Sequence, residues 1–181
     1  LFNADGSPQL LAKTGVLGQT IPFVGEYGIS KNPESFASEA YRAYFTDKQR
    51  GAVLRLSKDG LTPISDAGMH TFFKDNLRDS FLLIGSHDDY KNEYNLTIDN
   101  GVRENTSSHT ISFSEDVRGW VSFKSFIPDG GLSMSGDYYT FNVGRLYRHH
   151  SKNVSVNTFY DGNINHNLPT SITTILNDSP G

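Results

Sequence analysis

Several groups of side chains in this 181-residue chain have the types that chemistry uses. Asp88, Asp89 and Glu93 lie close together, and sugar hydrolysis needs two carboxylates across the scissile bond, one to protonate the leaving oxygen and one to attack or to activate water. They fall in the almost wholly polar stretch Ser86 to Glu93, which reads as a loop, where neighbouring acids are common without such a role. His149, His150 and His166 could supply imidazoles to zinc, but adjacent residues of a strand project to opposite faces and cannot both reach one metal without a bulge. The expected arrangement is a strand end with one ring packed and one wet. Asp161-Gly162-Asn163-Ile164-Asn165 spaces oxygen ligands as a calcium loop does, yet glycine falls at the second position instead of the sixth and Ile172 stands where the bidentate Glu belongs.

Gly131-Leu132-Ser133-Met134-Ser135-Gly136 approaches a nucleophile elbow, but its second glycine comes one place late and no strand-to-helix pattern surrounds it, so it reads as a flexible turn. There is no phosphate-binding Gly-Lys-Ser/Thr loop and no dinucleotide fingerprint. Trp120, Phe123 and Phe126 could form a sugar-stacking platform. At strand spacing, however, Trp120 shares a face with Ser122 and Val121 with Phe123, so at least one of these aromatics is expected in the core. Glycosylation sequons begin at Asn95, Asn105, Asn153 and Asn177, a pattern that an Asn- and Ser-rich chain produces by chance. The residues therefore assign no catalytic group, no metal ligand and no cofactor, and the expectation is a protein that is not an enzyme.

The elements that would position these groups are mostly strands. Pairs of short aromatic strands joined by a glycine-bearing turn return about every 45 to 50 residues, as in blade repeats. The first copy runs Ala43 to Asp47, Lys48-Gln49-Arg50-Gly51, then Val53 to Ser57, closing on Asp59-Gly60 before Leu61 to Ile64. The second has Tyr94 to Ile98, Thr110 to Phe113 and Gly119 to Phe126; the third has Tyr138 to Phe141, Asn142-Val143-Gly144 and Arg145 to His149. Phe81 to Gly85 is a buried strand, and Ser86 to Glu93 the passage from one blade to the next. One short helix is expected near 66–78, with Asp66 as its cap and Met69, Phe72, Phe73 and Leu77 on one face, covering a sheet or spacing two blades. Residues 1–30 form a lead-in segment, and 31–181 the propeller-like blades. The fold class is mainly β, a partial β-propeller-like arrangement of antiparallel blades. Because closure takes roughly 4 to 8 blades, and because Ser171 to Leu176 is a strand candidate with no partner following, the chain reads as an internal piece of a longer polypeptide.

Composition narrows the function classes. With 12% aromatic and 20% charged residues the chain is globular rather than disordered, and the absence of cysteine removes disulfides, thiol nucleophiles and thiolate metal sites. A formal net charge of −4 opposes non-specific nucleic-acid binding, which works by displacing counterions with basic patches. No apolar run approaches a membrane span.

Ile21 to Ser35, continuing into Ala43 to Ser57, resembles the propeller region of tailed-phage tail nozzle or muzzle proteins, and so do Gly119 to Phe126 and Tyr138 to His150. The large virion structural proteins of cyanophages and crAss-like phages are similar from roughly residue 20 to the C-terminus. The resemblance implies a virion structural protein assembled in the bacterial cytoplasm. It further implies that copies form a ring with other tail proteins in the virion tail, with DNA sliding through the channel without specific binding. No active site comes with that family. Arg42, Arg50, Arg55, Arg145 and Arg148 alternate with aromatics and suit contacts between subunits. The alternative reading is a host-receptor, carbohydrate-binding module of a phage tail.

Overall fold

The computed structural model describes residues 25–101, 108–154, 158–160 and 171–172. Within them the chain is mainly β, with one α-helix and three antiparallel sheets, none of which closes on itself. The first sheet runs in order through β1 (Ala37–Ser38), β2 (Ala43–Asp47), β3 (Ala52–Ser57) and β4 (Gly60–Pro63). The second runs through β5 (Leu82–Asp88), β6 (Glu93–Asp99), β7 (His109–Ser114) and β8 (Gly119–Lys124), and the third through β9 (Gly130–Met134), β10 (Asp137–Asn142) and β11 (Arg145–Arg148). Each sheet is a meander of consecutive strands. Their first strands lie side by side, β5 touching both β1 and β9.

Turn chemistry fixes the hairpins. Ser135-Gly136 and Val143-Gly144 are two-residue connections with all four φ angles positive, the geometry whose twist matches antiparallel strands. Val143 is β-branched and unsuited to its φ of 49°; its amide donates to Asp129 Oδ2 at 2.6 Å, which holds the turn. The segment Gly131 to Gly136, expected as a flexible turn, is thus strand β9 plus its hairpin, because its residues alternate across the sheet and pair with β10. Likewise Ser86 to Glu93 is not a passage between sheets. β5 continues to Asp88 and β6 begins at Glu93, paired through Asp88↔Glu93, so this polar stretch is a hairpin inside the second sheet. Backbone pairing overrode side-chain polarity there.

The helix α1 runs His70–Asp79 rather than 66–78. Gly68 has a left-handed φ of 81°, which separates the helix from the 3-10 turn Ile64–Asp66 and makes a continuous helix impossible. Asp66 does not cap it; its carboxylate meets His70 Nδ1 at 2.8 Å. The apolar face is as the spacing requires. Phe73 and Leu77 are fully buried, and Met69 and Phe72 pack against the same core.

That core fills the space between the first sheet, α1 and one face of the second sheet. Cross-strand rows place Leu83 and Ile98, then Leu96 and Ile111, then Tyr94, Phe113 and Trp120 on this face. A bulge between Ser112 and Phe113 skips Val121, so Trp120 and Phe123 share a face instead of facing apart. Trp120 then packs on Phe73 at 4.5 Å, Phe123 on Phe72 at 5.6 Å, and the indole N–H donates to the Ile64 carbonyl. Phe126 is buried, whereas Phe123 stays exposed, so the three aromatics do not form one flat platform.

Candidate functional site

The polar residues that could do chemistry converge on the other face of the second sheet, where the third sheet covers it. Alternation sends Ile84, Ser86 and Asp88 of β5 to this side, with Thr97, Asn95 and Glu93 of β6, Thr110, Ser112 and Ser114 of β7, and Lys124 of β8. Most are buried, so each polar atom needs a partner. Thr97 and Thr110 hydroxyls meet at 2.7 Å, and Thr110 Oγ1 donates to the Phe126 carbonyl. Asn95 Oδ1 accepts from Ser112 Oγ and from Lys124 Nζ, and Lys124 Nζ also donates to Glu93 Oε2 at 2.7 Å. Burial pulls the Lys124 ammonium below the usual lysine range, while the Glu93 carboxylate works against that pull.

The proposed acid pair is therefore spent on structure. Asp88, fully buried, accepts from the amides of Tyr90 and Lys91 through Oδ1 and meets His150 Nε2 through Oδ2 at 2.7 Å. Asp89 is exposed and holds His87 Nδ1 at 2.9 Å. Glu93 faces a lysine and not a water-filled cleft. A groove of about 410 Å³ does open elsewhere, beside Glu26, Tyr27, Arg50, Asp66 and His70. Its ionic groups pair among themselves, Arg50 with Asp47 and Glu26 and His70 with Asp66. No group of metal-ligating side chains occurs among the described residues.

His149 and His150 lie just past β11, and His150 takes a left-handed φ of 60°, so strand alternation does not send them to opposite faces: their rings stand 6.2 Å apart, both against Tyr138, and each is only partly exposed. His150 stacks on Tyr90 at 4.7 Å besides meeting Asp88, and His149 bonds Thr140 Oγ1 through Nε2 at 2.7 Å amid Phe126, Tyr138, Phe159 and Tyr160. Burial, with His150 adding a like charge, drops the His149 imidazole to about 4. His166, the Asp161–Asn165 loop and all but the start of the Ser171–Leu176 strand candidate lie outside the described residues. So does most of the 1–30 lead-in.

One joint is used twice, and no sequence pattern announces it. Gly85 on β5 leaves room for the preceding 3-10 turn, Pro33–Ser35: a Cβ there would stand 2.0 Å from the Ser35 carbonyl oxygen. Tyr94, opposite His87, donates its hydroxyl to that same carbonyl at 2.8 Å. Gly131 on β9 repeats the device against the second sheet, a Cβ falling 3.0 Å from Ser86 Cβ, and Tyr138, opposite Ser133, meets Ser86 Oγ at 2.7 Å. In each joint the tyrosine pairs with the residue two beyond the glycine. Burial raises both phenols, so they act as neutral hydroxyls.

Arg42 and Arg55 turn inward, while Arg50, Arg145 and Arg148 stay exposed. Glu115, in the β7–β8 turn, accepts from Tyr44 Oη and Arg55 Nε at 2.7 Å each and lies 3.4 Å from Arg42 Nε, which clamps the first sheet to the second. Arg50 is held by Asp47, and Arg148 by Asp137. No helix among the described residues is long and apolar enough to cross a membrane. Comparison with known proteins yields no matching family model and no significantly similar curated protein. What these residues do together is join sheets.

Proposed function

We propose that this chain is a virion structural protein, part of a phage tail nozzle or muzzle ring around the DNA channel, and that its sheets are blades of a propeller-type wall. The observation that carries the reading is the stacking of three meander sheets with their first strands β1, β5 and β9 side by side, as blades stand around an axis. Two further features support it. Carboxylates and imidazoles that could have formed a reactive centre are engaged in structural bonds, Asp88 with His150 across the joint of the second and third sheets, Glu93 with Lys124 inside the second and His149 with Thr140 inside the third. The outward face of the third sheet leaves Leu132, Met134, Phe141 and Leu146 exposed, the kind of apolar surface that assembly covers.

The test is quantitative mass spectrometry of purified virions, reading peptides of this chain against the portal and major capsid proteins. A ratio near that of the portal is expected. Absence from intact particles overturns the virion assignment.

A further inference from the structure

The joint between the second and third sheets differs from its neighbour in what holds it. The first sheet is clamped by an apolar core and by a glutamate between two arginines, which keep their charge at any physiological pH. The third is held by single hydrogen bonds and two adjacent imidazoles. Tyr138 meets Ser86, Ser133 Oγ donates to the His87 carbonyl and accepts from the Asp89 amide, His150 meets Asp88, and His149 is wedged against Phe126 and Tyr138. We propose that this joint is an acid-sensitive hinge: β9, β10 and β11 are held on β5–β8 at neutral pH and loosened when His149 takes up a proton.

The geometry makes His149 the trigger. Its ring is packed among aromatics contributed by β10 (Tyr138), the β8–β9 connection (Phe126) and residues 158–160 (Phe159, Tyr160), and its Nε2 is already engaged by Thr140. The charged and titratable groups facing it oppose one another. His150 on its own strand end and Lys124 of β8 disfavour a second proton, and Asp88 of β5 favours one, while the Tyr138 and Tyr160 phenols stay neutral because burial raises both. Desolvation is the largest of these influences and the net is a ring held neutral, with its value near 4 in place against about 6.5 in water. The docked sheet thus binds fewer protons than the released one. Its docking is fully favoured above about pH 6.5 and is lost progressively as pH falls toward 4.

Hydrogen–deuterium exchange of the full chain at about pH 7.5 and about pH 5, corrected for intrinsic exchange rates, tests the hinge. The opening equilibrium of β10 amides should rise on the order of 30-fold at the lower pH, with β6 and β7 little changed. His149→Gln, which keeps a hydrogen-bonding group and cannot titrate, should abolish the step. Equal protection of β10 at both pH values, or an undiminished step in His149→Gln, overturns the proposal. If that variant fails to dock the third sheet at all, the wild-type His149 ring titration by NMR decides. A midpoint near 4 upholds the hinge; one near 6.5 with β10 still protected overturns it.

Discussion

The two faces of the sheet β5–β8 are buried alike but by opposite means. Toward the first sheet and α1 stand Leu83, Leu96, Ile98, Ile111, Tyr94 and Phe113, a face stabilised by apolar area removed from water. Toward the third sheet stand Ser86, Asp88, Asn95, Thr97, Thr110 and Ser112, all buried and held by directional bonds. Apolar contact is strong and tolerant of position. A hydrogen bond nets only about 1 kcal/mol, because water competes for both partners, but it fixes register and leaves a costly orphan if misplaced. The first face supplies stability, and the second supplies a defined docking geometry that conditions can loosen.

Substitutions that separate these roles sharpen the contrast. Phe73→Ala, which empties the apolar side between α1 and Trp120, should cost about 3–5 kcal/mol in denaturant unfolding. Should it cost less than the polar-face changes below, the division fails. Gly85→Ala comes next, at about 3 kcal/mol: the carbonyl it strikes is backbone and cannot swing away, so the Ser35 turn must lift, exposing Tyr94 as a rise in tyrosine accessibility. Glu115→Gln should lower the unfolding midpoint by about 2 kcal/mol, since Arg42 and Arg55 lose their shared carboxylate while the shape is kept. Tyr138→Phe removes the hydroxyl that meets Ser86 and should cost about 1 kcal/mol, read as faster exchange confined to β9–β11. Thr97→Val is the smallest, below about 1 kcal/mol by thermal melting, because Thr110 keeps its bond to the Phe126 carbonyl.

The same contrast explains what was legible. Apolar alternation announced β2, β3, β6, β7 and β10 nearly residue for residue, and the Phe73/Leu77 spacing announced the buried face of α1. On the polar face the strands through Asn95, Thr97, Thr110 and Ser112 are legible, but Ser86 to Glu93 reads as a loop with idle acids. Ser86, Asp88 and Asn95 look like solvated residues until the third sheet lies over them. Nothing in Val121 signals the bulge that turns Trp120 and Phe123 to one side.

What the sequence by itself determined is local: where strands alternate, where glycine permits a left-handed turn, which helix positions must be buried, and that no thiol chemistry is possible. What only the tertiary structure decided is which polar groups meet. Asp88 with His150, Glu115 with Arg42 and Arg55, and Ser86 with Tyr138 are pairs separated by many residues in the chain. Hydrophobicity is a property each residue carries alone, so periodicity exposes it. A hydrogen bond or ion pair belongs to two groups and to the separation of about 2.7–3.2 Å between them, which exists only after the sheets have stacked.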